Sequence, residues 1–119
     1  DYLAAVDGHL VCNLLIETAE AVENIAEICA VPGIDLITPA QFDLSTALGI
    51  SGQFEHPDFI AAVSKIEAAA SAAAIPLAGV GLTQAQAKAA FAKGYRVIAG
   101  FDILWLKAKA AEAQSWTQD

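Results

Sequence analysis

Four times along this chain a strand-length apolar run is followed by a helical pattern, and no two strand runs meet across a hairpin signal. That order constrains the fold more than any other feature. Consecutive strand–helix units give parallel strands joined by right-handed crossovers. Leu10–Ile16 reads as the first strand, an apolar run of the kind covered on both faces. Residues 18–30 read as a helix, with Val22, Ile25, Ile28 and Cys29 on one face and Glu20, Glu23 and Glu27 on a solvated one. Pro32–Gly33 ends it, and Ile34–Thr38 is the second strand. His56–Pro57–Asp58 opens a long helix with the buried stripe Phe59, Ile60, Val63 and Ile66. Pro76–Gly81 is the third strand, and Thr83 caps a helix that Gly94 ends. Tyr95–Ala99 is the fourth strand, followed by a last helix from Asp102 to Trp116. The fold class is α/β. Two architectures satisfy the pattern, a small doubly wound sheet or half of an eight-stranded barrel, which typically takes about 250 residues.

The chemistry sits where strands end. Leu14–Leu15–Ile16 runs straight into Glu17, and a helix begins behind it. A charge at the end of a buried strand is costly unless something pairs with it, and a metal ion is one such partner. Asp43 follows the second strand on the same edge, so the two acids suggest a divalent-cation site. On residues alone, Glu17 also suits an acid near a helix N-terminus, and Asp43 a cap on a short Leu44–Leu48 turn. His56 reads as a helix-entry residue and His9 as a loop residue, while Trp105 and Trp116 read as packing residues. A Schiff-base mechanism needs a lysine on a strand, and Lys65, Lys88, Lys93, Lys107 and Lys109 all fall on helix patterns. Gly79–Val80–Gly81–Leu82–Thr83–Gln84 lacks the third glycine of a dinucleotide fingerprint. It reads as a tight turn near a phosphate or carboxylate.

Composition narrows the partners. With 119 residues, 56% hydrophobic and only 17% charged, the chain is one domain with an apolar excess that a covered surface would explain. A net charge of −8 and a single arginine, Arg96, argue against nucleic acid. No basic amphipathic stretch points to a membrane surface, and the apolar tract from Ala68 to Leu82 is interrupted by Ser71, Pro76 and two glycines. Cys12 and Cys29 are too few for a disulfide scaffold, which favours a reduced, cytoplasmic setting with both as small core residues. The chain begins at Asp1 without Met and is expected to be a piece of something longer.

Ile16–Glu17–Thr18–Ala19–Glu20–Ala21, followed by Asp43–Leu44–Ser45 and Leu48–Gly49, resembles the HpcH/HpaI aldolase family. These are class II, metal-dependent pyruvate aldolases related to the citrate lyase β-subunit, built on a (β/α)8 barrel. The His56–Pro57 helix start and Ala99–Gly100–Phe101–Asp102 also resemble it, so the likeness runs from Leu10 to Trp105. The family's G-P-x-D stands here as Thr38–Pro39–Ala40–Gln41–Phe42–Asp43, with Thr for Gly and two extra residues.

The resemblance implies that residues 1–119 form a single α/β unit, strands five to eight of the barrel, with the N-terminal half absent. It implies that Glu17 and Asp43 hold Mg²⁺, Mn²⁺ or Co²⁺, and that backbone N–H groups of Phe42 and Asp43 hold a pyruvate carboxylate. The activity implied is reversible retro-aldol cleavage of a 4-hydroxy-2-oxo acid to pyruvate and an aldehyde, the cation stabilising the enolate. A citrate-lyase-like thioester lyase is the nearer alternative, and a non-catalytic half-barrel module the more distant one. The family's catalytic arginine and histidine lie in the first half, so Arg96, His9 and His56 inherit neither role. The fragment alone is expected to be inactive, and a homo-oligomer and the absent half are the expected partners.

Overall fold

A computed structural model describes residues 2–117 of the chain, without the side chains of Leu3 and Ala4. Helix α1 (Tyr2–Ala5) and a 3-10 turn (Val6–His9) lead to strand β1 (Asn13–Ile16). Then come α2 (Ala19–Glu23), α3 (Ile25–Cys29), β2 (Leu36–Pro39), α4 (Gln41–Ala47) and α5 (Pro57–Ala72). Strand β3 (Leu77–Val80), α6 (Gln84–Ala92), β4 (Tyr95–Ala99) and α7 (Asp102–Ser115) complete the alternation. The strands are parallel and lie in the order β1-β2-β3-β4, the α/β arrangement expected of consecutive βα units. Within β3 the chain divides into two compact units, Asp1–Ala78 and Gly79–Asp119.

In the first unit β1 pairs with β2 from Asn13 opposite Leu36 to Ile16 opposite Pro39, and β2 meets β3 at Ile37 and Leu77. Side chains alternate across a strand. Ile16, Ile37, Pro39 and Leu77 are buried, whereas Asn13 is exposed and Leu15 is 55% exposed. Helix α5 packs on β2, α2 and α3, and these helices bring Val22, Ile25, Cys29, Phe59, Ala62, Ile66 and Ala70 into the core. Each large aliphatic side chain fully buried there contributes about 1.5–3 kcal/mol.

Several expectations shift here. The strand begins at Asn13 rather than Leu10, because polar contacts fix the preceding residues. The Cys12 amide donates to the Asp35 carboxylate at 2.8 Å, and the Cys12 carbonyl accepts from the amides of Asp35 and Leu36. Cys12 is consequently exposed, and only Cys29 is a core thiol, pushed up in pKa by its burial. The strand is not covered on both faces, since the helices of this unit bury only alternate positions. The helix expected over 18–30 breaks at Asn24 (φ −93°, ψ 12°). Beside the break, Lys65 Nζ reaches the Glu23 carbonyl at 3.5 Å and its carboxylate at 3.4 Å. On α5, Ile60 is 48% exposed and Ala62 and Ala70 take buried positions instead.

The second unit is built from local signals. Thr83 Oγ1 accepts from the Gln86 amide at 3.2 Å, and the Gln86 side chain accepts in return from the Thr83 amide at 3.2 Å. That reciprocal cap starts α6, and Gly94 ends the helix region at φ +97°, a conformation glycine adopts without strain. The Gly81 amide donates to the Ala99 carbonyl at 2.9 Å. Gly79 lies flat against Tyr95, where a Cβ would stand 2.8 Å from the ring. Neither α6 nor α7 contains a buried residue. Among the described residues, no helix is long and apolar enough to cross a membrane.

Candidate functional site

Only Glu17 and Thr18 separate β1 from α2. Thr18 is the cap of α2, its hydroxyl accepting from the Ala21 amide at 3.1 Å, so the chain turns abruptly after the strand. Strand alternation puts Glu17 on the face of Asn13 and Leu15, away from buried Ile16, and it is exposed. One strand over, the Ala40 amide donates to the Ile16 carbonyl at 3.0 Å, which locks the exit of β2 beside the exit of β1. Asp43 follows in the first turn of α4, also exposed. Both acids therefore follow the carboxyl ends of adjacent parallel strands, β1 and β2.

Asp43 is inside α4 rather than before it. The cap position is Ala40, which offers no side-chain bond, so the alternative of Asp43 as cap is not what the structure shows. Neither the Glu17 nor the Asp43 carboxylate forms a hydrogen bond or ion pair with another described residue. First-turn amides have no intrahelical acceptor. Those of Phe42 and Asp43 find none elsewhere among the described residues.

The donor set fits a hard or borderline divalent cation. Carboxylate oxygens suit Mg²⁺ or Mn²⁺, and two of them leave positions for water and substrate. Among the described residues no three His, Cys, Asp or Glu side chains gather into a fuller cage. A two-carboxylate site asks for none.

Phe42 is half exposed and rests edge-on against Phe54, with ring centroids 4.9 Å apart at 85°. Phe54 in turn packs on buried Phe59 at 5.5 Å, on the first turn of α5. Ser45, 0% exposed, is the one buried polar side chain among the described residues. Sequence reasoning passed over its role. The cue was its place in Asp43–Leu44–Ser45 ahead of Gly49 and Gly52, but a buried hydroxyl is recognisable only once its partners are known.

Other singled-out residues have local roles. His56 caps α5, its Nδ1 accepting from the Asp58 amide at 3.2 Å. His9 is exposed in the 3-10 turn and Arg96 exposed on β4. The lysines expected on helices lie there, with Lys93 as the cap of α6. In the Gly79–Gln84 turn, the amides of Leu82 and Thr83 both donate to Gln86 Oε1, at 2.9 and 3.2 Å. Those two amides are thus satisfied within the turn itself. Trp105 donates its indole N–H to the Leu82 carbonyl at 3.0 Å and lies over Gly100, the packing role expected of it.

The family model for HpcH/HpaI aldolase/citrate lyase matches residues 6–107. The hydroxypyruvate/pyruvate aldolase of Paraburkholderia phytofirmans is 31% identical over 107 residues, 89% of this chain and 41% of that protein. The 2-dehydro-3,6-dideoxy-6-sulfogluconate aldolase of Pseudomonas putida is 36% identical over 102 residues, 85% of this chain and 40% of that protein. In structure, an HpcH/Hpal aldolase/citrate lyase family protein from Burkholderia cenocepacia J2315 superposes with a TM-score of 0.89 at 27% identity. That match covers 100% of this chain and 47% of the other. The chain spans less than half the length of each of these relatives.

Proposed function

This chain belongs to the HpcH/HpaI aldolase/citrate lyase family, and we propose that it carries the cation-binding part of a class II pyruvate aldolase. The observation that carries the reading is the pair Glu17 and Asp43, two carboxylates at one sheet edge without a partner among the described residues. Glu17 and Asp43 would hold Mg²⁺, Mn²⁺ or Co²⁺. A bound divalent cation supplies Lewis acidity, which lowers the cost of negative charge developing on a keto oxygen. The free amides of Phe42 and Asp43 would receive the carboxylate of a 2-oxo acid, orienting its keto group toward the two acids.

The reaction proposed is cleavage of a 4-hydroxy-2-oxo acid. A base takes the proton of the C4 hydroxyl, the C3–C4 bond breaks, and an aldehyde leaves. The bonding pair passes to C3 as the enolate of pyruvate, which a proton then quenches. None of the described side chains at this edge is placed to be that base, and the arginine and histidine of the family would come from a first barrel half. The assembly proposed is cytoplasmic and homo-oligomeric, with this chain completed by that half as strands five to eight of the barrel.

The test is exchange of the pyruvate methyl protons for deuterium, read by proton NMR with and without Mn²⁺. It is run on this chain and on the longest natural product containing it. Mn²⁺-dependent exchange that disappears in Glu17→Gln is the expected result. Folded protein that exchanges no pyruvate in either form, with metal present, would overturn the reading.

A further inference from the structure

Loop 48–56 carries the chain from α4 to α5, and its backbone bonds run in steps. The Ile50 amide donates to the Ser45 carbonyl at 2.9 Å and the Gln53 amide to the Ile50 carbonyl at 2.9 Å. The His56 amide then donates to the Gln53 carbonyl at 3.0 Å. His56 is thus the last link of the loop and, at once, the cap of α5. Phe54 of the loop packs on Phe59 of the first helical turn, which joins the two further.

The chemistry of this cap differs from the common one. Ser, Thr, Asp and Asn cap with an oxygen that accepts throughout the neutral range. Here the acceptor is a ring nitrogen. Pro57 brings no N–H, so the Asp58 amide is the first donor of α5 that needs a partner. It finds His56 Nδ1 at 3.2 Å. Accepting there takes the lone pair of Nδ1, which places the ring proton on Nε2. A second proton, on Nδ1, turns the acceptor into a donor that faces another donor.

The same nitrogen has an alternative partner. Asp58 Oδ2 lies 3.7 Å from Nδ1, too far for a hydrogen bond with the neutral ring and a favourable target for the charged one. A positive ring is also opposed by the helix dipole at this end. Other charges stand aside. Glu55, next in the loop, is exposed, and β2, packed on α5, has no charged residue. On α2 and α3, Glu20, Glu23 and Glu27 are exposed, and Glu23 meets Lys65 farther along α5. With 36% of its side chain exposed, His56 exchanges protons with solvent directly.

We propose that His56 is a proton-operated cap. Neutral, its Nδ1 holds the Asp58 amide and anchors the first turn of α5 to the loop. Charged, its Nδ1–H turns to the Asp58 carboxylate, and the amide loses its acceptor. Histidine is the side chain whose ordinary titration falls between about pH 5 and 8. The anchored form is present while the ring is neutral and is lost as pH falls through the ring's titration. The device is independent of the aldolase reading, since it operates whether or not Glu17 and Asp43 hold a cation.

The experiment is a nuclear magnetic resonance titration of the ¹⁵N-labelled full chain across that range. Ring-nitrogen shifts report the tautomer and protonation of His56, and amide shifts and exchange report the first turn of α5. The Nε2–H tautomer is expected at high pH, with the Asp58 amide shift following the same midpoint as the ring. Exchange of that amide, corrected for its intrinsic pH dependence, should become about 5-fold faster on the acid side, the usual effect of losing a cap. His56→Asn keeps an acceptor that does not titrate, so its Asp58 amide should show no such step. Asp58→Asn should make the ring harder to protonate, and the titration of exposed His9 should move no amide of α5. A proton on Nδ1 at high pH, or an Asp58 amide indifferent to the ring's titration, overturns the proposal. The same acid step persisting in His56→Asn overturns it as well.

Discussion

The two units obey the same strand–helix grammar and differ in what they bury. In the first, α2, α3 and α5 converge with β1 and β2 on Ile16, Ile25, Ile37, Leu44 and Ile66, each nearly or fully removed from water. In the second, α6 and α7 bury nothing, and Tyr95 is its one buried large side chain among the described residues. Leu106 and Trp116 remain 66% and 71% exposed. The difference separates two sources of order. Capping and turn chemistry define where an element begins and stops, as they do for α6 and β4. A core requires several elements to share one apolar volume, and only the first unit assembles one from its own residues.

The comparison is most strongly tested by truncating matched aliphatic side chains. Ile66→Ala should cost about 2–5 kcal/mol in urea unfolding followed by circular dichroism. Leu106→Ala in α7 should stay within about 0.5 kcal/mol. Equal losses would break the distinction. A smaller effect is expected at the cap of α6, where Thr83→Ala should cost about 1 kcal/mol and speed amide exchange in the first turn, with Thr83→Ser restoring it. Exchange unaffected by the loss of the cap would mean that tertiary contacts, not local chemistry, hold that helix.

The smallest effect concerns Cys29. Burial raises its thiol pKa, so the folded chain keeps the proton where the unfolded chain gives it up. The stability from this group is complete below the ordinary thiol value and is lost as pH rises toward the raised one. Cys29→Ala should flatten that alkaline decline, while in the parent chain a thiol reagent labels exposed Cys12 first. Simultaneous labelling of both would show that the core around Cys29 opens as readily as the exposed segment at Cys12.

These contrasts also explain what could be read in the sequence. β4 lies at Tyr95–Ala99 as expected, and Thr83 and Gly94 bound α6, because each signal acts within a few residues. The break at Asn24 was hidden, since neither Pro nor Gly marks it in the sequence. The buried face of α5 was misjudged at Ile60 because an alanine-rich helix offers several faces of similar apolarity, and its neighbours choose Ala62 and Ala70. At the candidate site, the placement of Glu17 and Asp43 behind β1 and β2 was legible from the strand ends. The burial of Ser45 was not, because its two hydrogen-bond partners lie outside the motif, one of them seven residues on.

One polar contact on the uncovered strand face has a consequence for the accuracy of the site. Parallel strands that slip by two residues keep every side chain on its proper face, so hydrophobic patterning cannot detect the error. A slip of that size moves a residue about 6.6 Å along the sheet, enough to carry Glu17 out of reach of any ion held by Asp43. The bond from Thr38 Oγ1 to Asn13 Oδ1 at 2.8 Å and that from the Cys12 amide to Asp35 would both be lost in such a slip. The spacing of Glu17 and Asp43 at the carboxyl edge is therefore held by hydrogen bonds that begin at the opposite end of β1.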